Sequence, residues 1–116
     1  MGLAKNLNLK PGMKVRVVGK PNGVDLGDVE TSPSPKAEAV LVFVTKLSDV
    51  DSKCGPVVEL AKADRLAWAA YPKAGQLGTD LNRDILWKHL LKQGIQGVRQ
   101  GAIDDVWRAM RFRPGK

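Results

Sequence analysis

Few residues in this chain could do chemistry, and they are scattered along it. There is one histidine, His89, and one cysteine, Cys54. A metal site needs a cluster of His, Cys, Asp or Glu ligands, and a reactive cysteine needs neighbours that lower its pKa. Neither residue has that setting in the sequence. We therefore expect His89 to be structural, at a helix–sheet boundary, and Cys54 to be a small buried filler.

The acidic residues that follow the first apolar segment are another place to look for a metal. Asp25, Asp28 and Glu30 lie close together, but they lack the ligand spacing and the final bidentate carboxylate of a calcium loop. The motifs of serine hydrolases and of phosphate-binding loops do not occur either. The sequence therefore predicts no catalytic residue, no metal site and no resident cofactor.

A further set of candidates follows the predicted strands. In open α/β sheets, ligands bind beyond the carboxyl ends of the strands. The residues expected there are Gly19, Lys20, Asn22, Lys46, Tyr71 and Lys73. Three lysines at one edge favour a small anion or a nucleotide, and a set of solvated loop lysines is an equal alternative.

The three tryptophans are expected to be core or interface anchors rather than a platform for stacking bases. Trp68 lies within an apolar segment and is assigned to the core, and Trp107 belongs to the last predicted strand. Trp87 falls off the main apolar stripe of its predicted helix. It is therefore the candidate for contact with a protein partner.

Two apolar segments, at 39–44 and 66–71, organise the elements that must position these residues. The first has no polar side chain over six positions, and the second has none before the Tyr71 hydroxyl. Strands that are apolar on both faces lie inside a sheet covered on both sides, usually as parallel strands. The segments are separated by about twenty residues, enough for a crossover helix. They predict one right-handed βαβ unit.

The chain before this unit predicts one strand and a long loop. Residues 13–18 alternate in polarity and end at Gly19, which is typical of a strand. Prolines and glycines punctuate the stretch that follows. Within it, Val24, Leu26 and Val29 predict a short strand at the edge of the sheet.

Capping signals place the crossover helix. Ser48, with an aspartate three residues later, predicts its start. The Gly55-Pro56 pair interrupts it, because proline inside a helix removes a hydrogen bond. We expect either a kink or a second start with Pro56 in the first turn.

The clearest helix of the sequence covers residues 81–93. Thr79 or Asp80 is expected to cap its start, and Gly94 stands where a left-handed residue commonly ends a helix.

Two weaker strands, at 95–103 and 106–113, complete the chain as an antiparallel pair. The prediction is one α/β domain over residues 1–116. It is Rossmann-like, with a mostly parallel central sheet, a C-terminal antiparallel hairpin and a shortened first half.

The formal net charge of +7 bears on the partners of the protein. The basic residues at the two ends of the chain are Lys5, Lys10, Lys14, Arg16, Lys20, Arg108, Arg111, Arg113 and Lys116. Such a balance favours polyanions, although no run of adjacent basic residues accompanies it, so an ordinary basic surface is preferred. No apolar stretch is long enough to span a membrane, and no secretory signal begins the sequence. A cytoplasmic location and no membrane contact are expected.

Several segments resemble class I S-adenosylmethionine-dependent methyltransferases. Residues 9–19 look like the strand that opens that fold, 38–44 like its fourth strand, 60–71 like its fifth with the approach to it, and 81–112 like its last helix and terminal hairpin. The resemblance implies a Rossmann-like fold. Val17 stands at the position of the family's acidic residue and Pro21 at its middle glycine. Because proline lacks the N–H and the bare backbone that a cofactor approaches, these departures imply that the cofactor motifs have been lost.

The chain as a whole is similar to a family of small bacterial proteins of unknown function. Residues 68–73 and 104–107 carry this likeness most clearly, and it implies a fold without an activity. The function predicted from the sequence is a non-catalytic module that binds a protein partner or itself. One alternative is a binder of a small anion or nucleotide at the carboxyl edge of the strands. Another is weak association with nucleic acid through the basic termini.

Overall fold

A computed structural model describes the chain at residues 7, 9, 12–21, 23–24, 26–27, 29–32, 38–73 and 78–115. These residues form six strands and three helices. The strands are β1 (Lys14–Val18), β2 (Glu30–Thr31), β3 (Ala39–Phe43), β4 (Leu66–Pro72), β5 (Ile95–Ala102) and β6 (Trp107–Pro114). The helices are α1 (Leu47–Lys53), α2 (Gly55–Lys62) and α3 (Arg83–Leu91).

The strands form one mixed sheet in the order β2-β1-β3-β4-β6-β5. Neighbouring strands from β2 to β4 are parallel, and β6 is antiparallel to both β4 and β5. Ala39 pairs with Leu66 and Phe43 with Ala70, in rising order along both strands. The predicted parallel pair, its helical crossover and the antiparallel hairpin are therefore confirmed.

Helices cover one side of the sheet, which we call the helix face. All five residues of β3 are buried, because this central strand is apolar on both of its sides. On the helix face, Val40 and Val42 join Val57 and Ala61 of α2 in one apolar cluster, which also holds Leu86 of α3. Burying apolar area in this way stabilises a fold by ~25 cal/mol per Å².

The opposite side, the loop face, is covered without a helix in the part of the chain that the structure describes. Here Leu41, Phe43 and Trp68 share an apolar cluster with Leu7, Val24, Leu26 and Val29 from the irregular segments. The sequence-based assignment of an edge strand to 24–29 is therefore wrong. The edge strand is β2, which pairs with β1 at Glu30 and Thr31.

The turns of the loop explain this difference. Gly23 and Gly27 have φ values of 90° and 57°, a region that glycine enters at little cost. These turns direct the apolar side chains between them onto the sheet rather than letting the backbone extend along its edge.

The helix boundaries correct the predicted caps. The first helix begins at Leu47 rather than Ser48, and the second start at Gly55-Pro56 is confirmed. The last helix begins at Arg83, and its cap is Asn82, whose Oδ1 accepts a hydrogen bond from Ile85 N at 2.9 Å. It ends before Gly94, whose φ of 91° confirms the predicted left-handed position. No helix among the described residues is long and apolar enough to cross a membrane.

An ion pair joins the end of the crossover to the terminal hairpin. Asp64 follows α2 with a φ of 57°, and its Oδ1 and Oδ2 accept from Nε and Nη2 of Arg113 at 2.9 and 3.1 Å. This bidentate hydrogen bond, together with the charges of Arg113 and Arg111, lowers the pKa of the Asp64 carboxyl from its ordinary value of 3.8.

The lowered pKa predicts how this pair responds to acid. Because the folded-state pKa lies below the unfolded-state value, its contribution to stability is present above 3.8 and is lost as the pH falls through the folded value. The variant Asp64→Asn keeps a residue that tolerates positive φ and should be less stable than wild type near neutral pH. In urea unfolding, that difference should shrink as the pH falls below 3.8 and through the folded-state value.

The matched control is Asp105→Asn, an exposed aspartate in the turn of the hairpin. A difference between wild type and Asp64→Asn that stayed constant across the acid range would contradict the role of the ion pair.

Candidate functional site

The carboxyl ends of β1, β3 and β4 meet at one edge of the sheet, since these strands are parallel. Gly19, Lys46 and Lys73 follow these ends, so the strand order brings the predicted residues to the same edge. The chain leaves β1 toward β2 on one side and returns to β3 on the other. Such a reversal marks the crevice where ligands bind in open α/β sheets.

The residues that follow β1 stabilise the local structure at this edge. Gly19 has a φ of 73°, and a Cβ there would lie 3.1 Å from the carbonyl oxygen of Phe43. Lys20 remains exposed, but its Nζ donates to the carbonyls of Val24 at 2.8 Å and Pro21 at 3.3 Å. Its amine therefore closes the loop that covers the sheet. The remaining candidate of this group, Asn22, lies outside the described residues.

The mouth beyond β3 is crossed by the segment that precedes α3. The Thr79 hydroxyl donates to the carbonyl of Thr45 and accepts from Leu81 N at 3.0 Å. The Asp80 carboxylate accepts from Leu47 N at 2.8 Å. Asp80 was expected to cap α3, and it instead satisfies the first amide of α1, which its neighbours in sequence leave free.

Tyr71 lies on the helix face, near the carboxyl end of β4. It is 3% exposed and belongs to the apolar cluster of that face. Its hydroxyl has no hydrogen-bond partner within the described part of the chain. Burial raises the pKa of this hydroxyl, while the charges of Arg108 and Arg83 act in the opposite direction. Tyr71 is thus a neutral phenol with an unused donor.

Tyr71 lines a cavity of about 310 Å³ between α3 and the hairpin. The lining residues of this cavity are Tyr71, Asn82, Arg83, Asp84, Gln100 and Arg108. Arg108 is the cross-strand partner of Tyr71 on β6, and residues paired in this way lie on the same side of a sheet.

A second cavity, of about 500 Å³, adjoins the first and shares Arg83 and Gln100 with it. Trp87 lines it and is 41% exposed. We call the two cavities together the hairpin groove. A Cβ at Gly97 would lie 2.5 Å from Met110 Sδ and 3.4 Å from Trp87 Cδ1. The bare glycine therefore lets one edge of the indole rest against β5.

The charge of the hairpin groove is positive. Its charged lining residues are Arg83, Asp84, Arg99 and Arg108. Arg83 Nε lies 3.3 Å from Asp84 Oδ1, in a pair whose side chains are both more than half exposed; such pairs hold each other weakly. Neither Arg99 nor Arg108 makes an ion pair with any other described residue. Guanidinium groups that are not held in an ion pair can bind an anion.

Other polar groups are orphaned outside the groove. Trp68 Nε1 and Arg111 Nε are buried without a hydrogen-bond partner among the described residues. The two residues face each other across β4 and β6 on the loop face. Trp68 and Arg111 line neither cavity of the groove. Of the three residues with a buried, unpartnered polar atom, Tyr71 is therefore the one that lines the groove.

The histidine and the cysteine have structural positions. His89 Nε2 lies 2.8 Å from Asp51 Oδ1, so it joins α3 to α1 rather than a helix to the sheet. Cys54 is 1% exposed, and burial, reinforced by the charge of Asp51, raises the pKa of its thiol to about 12. This confirms Cys54 as a buried filler. Among the described residues, no three His, Cys, Asp or Glu side chains are placed to hold a metal.

Sequence reasoning found two residues of the groove and missed the rest. Tyr71 and Trp87 were candidates for separate reasons, and the structure brings them to adjoining cavities. Arg83, Gln100 and Arg108 gave no motif, because their proximity depends on the register of β4, β6 and β5. An irregularity between Gly97 and Arg99 shifts that register, and a sequence pattern does not locate it.

Comparison with family models, curated proteins and solved structures finds no significant match to this chain.

The contact of Asp80 with α1 yields a testable outcome. Replacing Asp80 with alanine should lower the free energy of unfolding by ~1 kcal/mol, because the first amide of α1 loses its acceptor. Urea unfolding near neutral pH measures this loss. Asp105→Ala removes the same charge from an exposed turn and should change stability less. Equal effects of the two variants would show that the contact contributes nothing.

Proposed function

We propose that this protein is a non-catalytic, Rossmann-like binding module whose hairpin groove takes a small organic anion. The observation that carries the proposal is Tyr71, which lines the cavity and whose buried hydroxyl has no partner among the described residues. An unsatisfied buried polar group costs ~1–3 kcal/mol. An acceptor oxygen of a bound anion would remove that cost, and Arg83 and Arg108 would supply the charge.

The Rossmann-like part of the proposal is supported by the sheet. The strand order reverses between β1 and β3, and the strands from β2 to β4 are parallel. The likeness to methyltransferases suggested the same architecture. Binding without methyl transfer is supported by the two residues that stand at the methyltransferase cofactor positions. Val17 packs against the apolar cluster of the loop face. Pro21 has no N–H to offer a cofactor, and its carbonyl accepts a hydrogen bond from Lys20. A cytoplasmic location remains part of this proposal.

A second candidate function is association with a protein partner or with a second copy. It is supported by Trp87, Leu91 and Val98, which are 41%, 50% and 47% exposed. Large apolar side chains clustered on a surface favour protein contacts. The groove is preferred because it also accounts for the orphaned hydroxyl and the unpaired arginines, which an apolar contact would leave unused.

The proposed groove predicts an unusual pair of effects for Tyr71→Phe. Removing an orphaned hydroxyl should leave the stability of the free protein unchanged or slightly higher. The same change should weaken an anion bound in the groove by about tenfold, the equivalent of one lost hydrogen bond of ~1.4 kcal/mol. Arg108→Gln should weaken the anion at least as much. Thermal unfolding with a panel of phosphate esters and carboxylates identifies the ligand, and calorimetric titration then measures affinity.

Arg65→Gln is the control for the loss of one positive charge, because Arg65 is exposed and precedes β4 at the far end of the sheet. A ligand at about a hundred times its dissociation constant should add ~2.7 kcal/mol of stability. The proposal fails if no compound in the panel stabilises the protein. It also fails if Tyr71→Phe and Arg108→Gln bind every ligand as wild type does.

A further inference from the structure

The two ends of the hairpin groove offer different chemistry. Beside α3 and β5, the walls come from one arginine, Arg99, and otherwise from Trp87, Gly97, Val98 and Met110. Beside β4 and β6, they come from polar and charged groups, namely Tyr71, Asn82, Asp84 and Arg108. Arg83 and Gln100 belong to both ends. A ligand that fills the groove must therefore join an apolar part to an anionic part.

The apolar end is suited to a flat ring. Trp87 is the one exposed aromatic side chain among the described residues. Its Cδ1 edge is held near Gly97 and Met110, so the indole has a fixed support on the sheet side and open space on the other. Flat rings, including nucleobases, stack on tryptophan irrespective of their substituents.

The anionic end is suited to a phosphate. Arg108 and the Tyr71 hydroxyl come from paired positions on adjacent strands, and Arg83 enters from the first turn of α3. Guanidinium groups bind phosphate oxygens in a planar, bidentate manner. Asp84 opposes an anion here, and its contact with Arg83 at 3.3 Å must loosen or reorient when one binds.

Between the two ends lies an uncharged polar group. The Gln100 side chain offers both a carbonyl acceptor and amide donors, and the position lines both cavities. It is therefore placed to meet the hydroxyl groups of a sugar or the polar edge of a ring. The groove thus offers an aromatic support at one end and Arg108 at the other, with Gln100 and Arg83 lining both cavities.

We infer that the hairpin groove binds a nucleotide unit, with its base against Trp87 and its phosphate between Arg83 and Arg108. This inference rests on the proposed function and specifies its ligand. It also assigns Trp87 a role that the sequence did not indicate. The nucleotide unit has two sources, a free nucleotide and a single-stranded nucleic acid, and the net charge of +7 favours approach of either.

The test uses the full chain and three kinds of probe: the ribonucleoside monophosphates, the matching nucleosides and ribose 5-phosphate. Trp68 and Trp107 are 1% and 3% exposed, so quenching by a ligand reports on Trp87. We expect at least one nucleoside monophosphate to quench the fluorescence. Its affinity should be at least about tenfold higher than that of the matching nucleoside or of ribose 5-phosphate. An affinity ratio of ten corresponds to ~1.4 kcal/mol.

Variants at Trp87 separate the inference from the proposed function. Calorimetric titration of Trp87→Leu should show about tenfold weaker binding of the nucleotide and unchanged binding of ribose 5-phosphate. Trp87→Phe keeps a ring and should retain most of the affinity. Equal binding of nucleotide and ribose 5-phosphate, unaffected by Trp87→Leu but weakened by Arg108→Gln, would overturn the nucleotide inference and leave the anion groove intact. If Arg108→Gln and Tyr71→Phe bound the nucleotide and ribose 5-phosphate as tightly as wild type does, both the nucleotide inference and the proposed anion groove would be overturned.

A final arm identifies the source of the nucleotide. An oligoadenylate of about eight nucleotides is compared with adenosine monophosphate at rising salt. Tighter binding of the oligomer, with a steep loss in salt and dependence on Trp87, supports a single strand as the source. Tighter binding of the monophosphate supports the free nucleotide. The inference is contradicted if the monophosphate does not bind and Trp87→Leu leaves the affinity for the oligomer unchanged.

Discussion

The structure depends on one constraint: the side chains of the central strands β3 and β4 are apolar except for the Trp68 N–H and the Tyr71 hydroxyl, so both faces of the sheet must be covered. Every residue of β3 is buried, and every residue of β4 after Leu66 is buried. A crossover between parallel strands covers only one face. The other face is covered by side chains of irregular segments, which the turns at Gly23 and Gly27 direct onto Leu41, Phe43 and Trp68. The chain therefore encloses two apolar clusters with a single sheet between them.

The same constraint produces the groove. Leu86 and Leu90 fix α3 on the helix face, and Trp87, which follows Leu86, is turned toward the hairpin. α3 lies beside β5, the edge strand of the sheet, whose residues after Ile95 are partly buried or exposed. Tyr71 shows the consequence. Its ring belongs to the apolar cluster, the residue lines a cavity, and its buried hydroxyl has no partner among the described residues. A buried donor beside unpaired arginines is an arrangement that a folded core alone does not require.

The sequence predicted the parts of this fold that follow from local pattern. The apolar segments at 39–44 and 66–71 indicated the parallel pair because strands that are apolar on both faces usually lie parallel inside a covered sheet. Pro56 indicated either a kink or a second helix start, because proline removes a hydrogen bond inside a helix but is tolerated in a first turn. The failures involve partners distant in sequence. Asp80 and Asn82 are equally good caps by composition, and the choice depends on Leu47 lying within reach of Asp80. Val24, Leu26 and Val29 pack against an apolar face that exists only once the sheet has formed, so their local sequence does not predict their position.

The pairing of β3 with β4 carries this account, and interstrand nuclear Overhauser effects test it most directly. In a uniformly labelled sample, contacts between backbone protons should link Ala39 with the neighbourhood of Leu66 and Phe43 with that of Ala70, rising together along both strands as the register requires. Contacts that run in opposite order, or helical contacts within either segment, would contradict the account, because the crossover, the two covered faces and the groove beside the hairpin all depend on this pair.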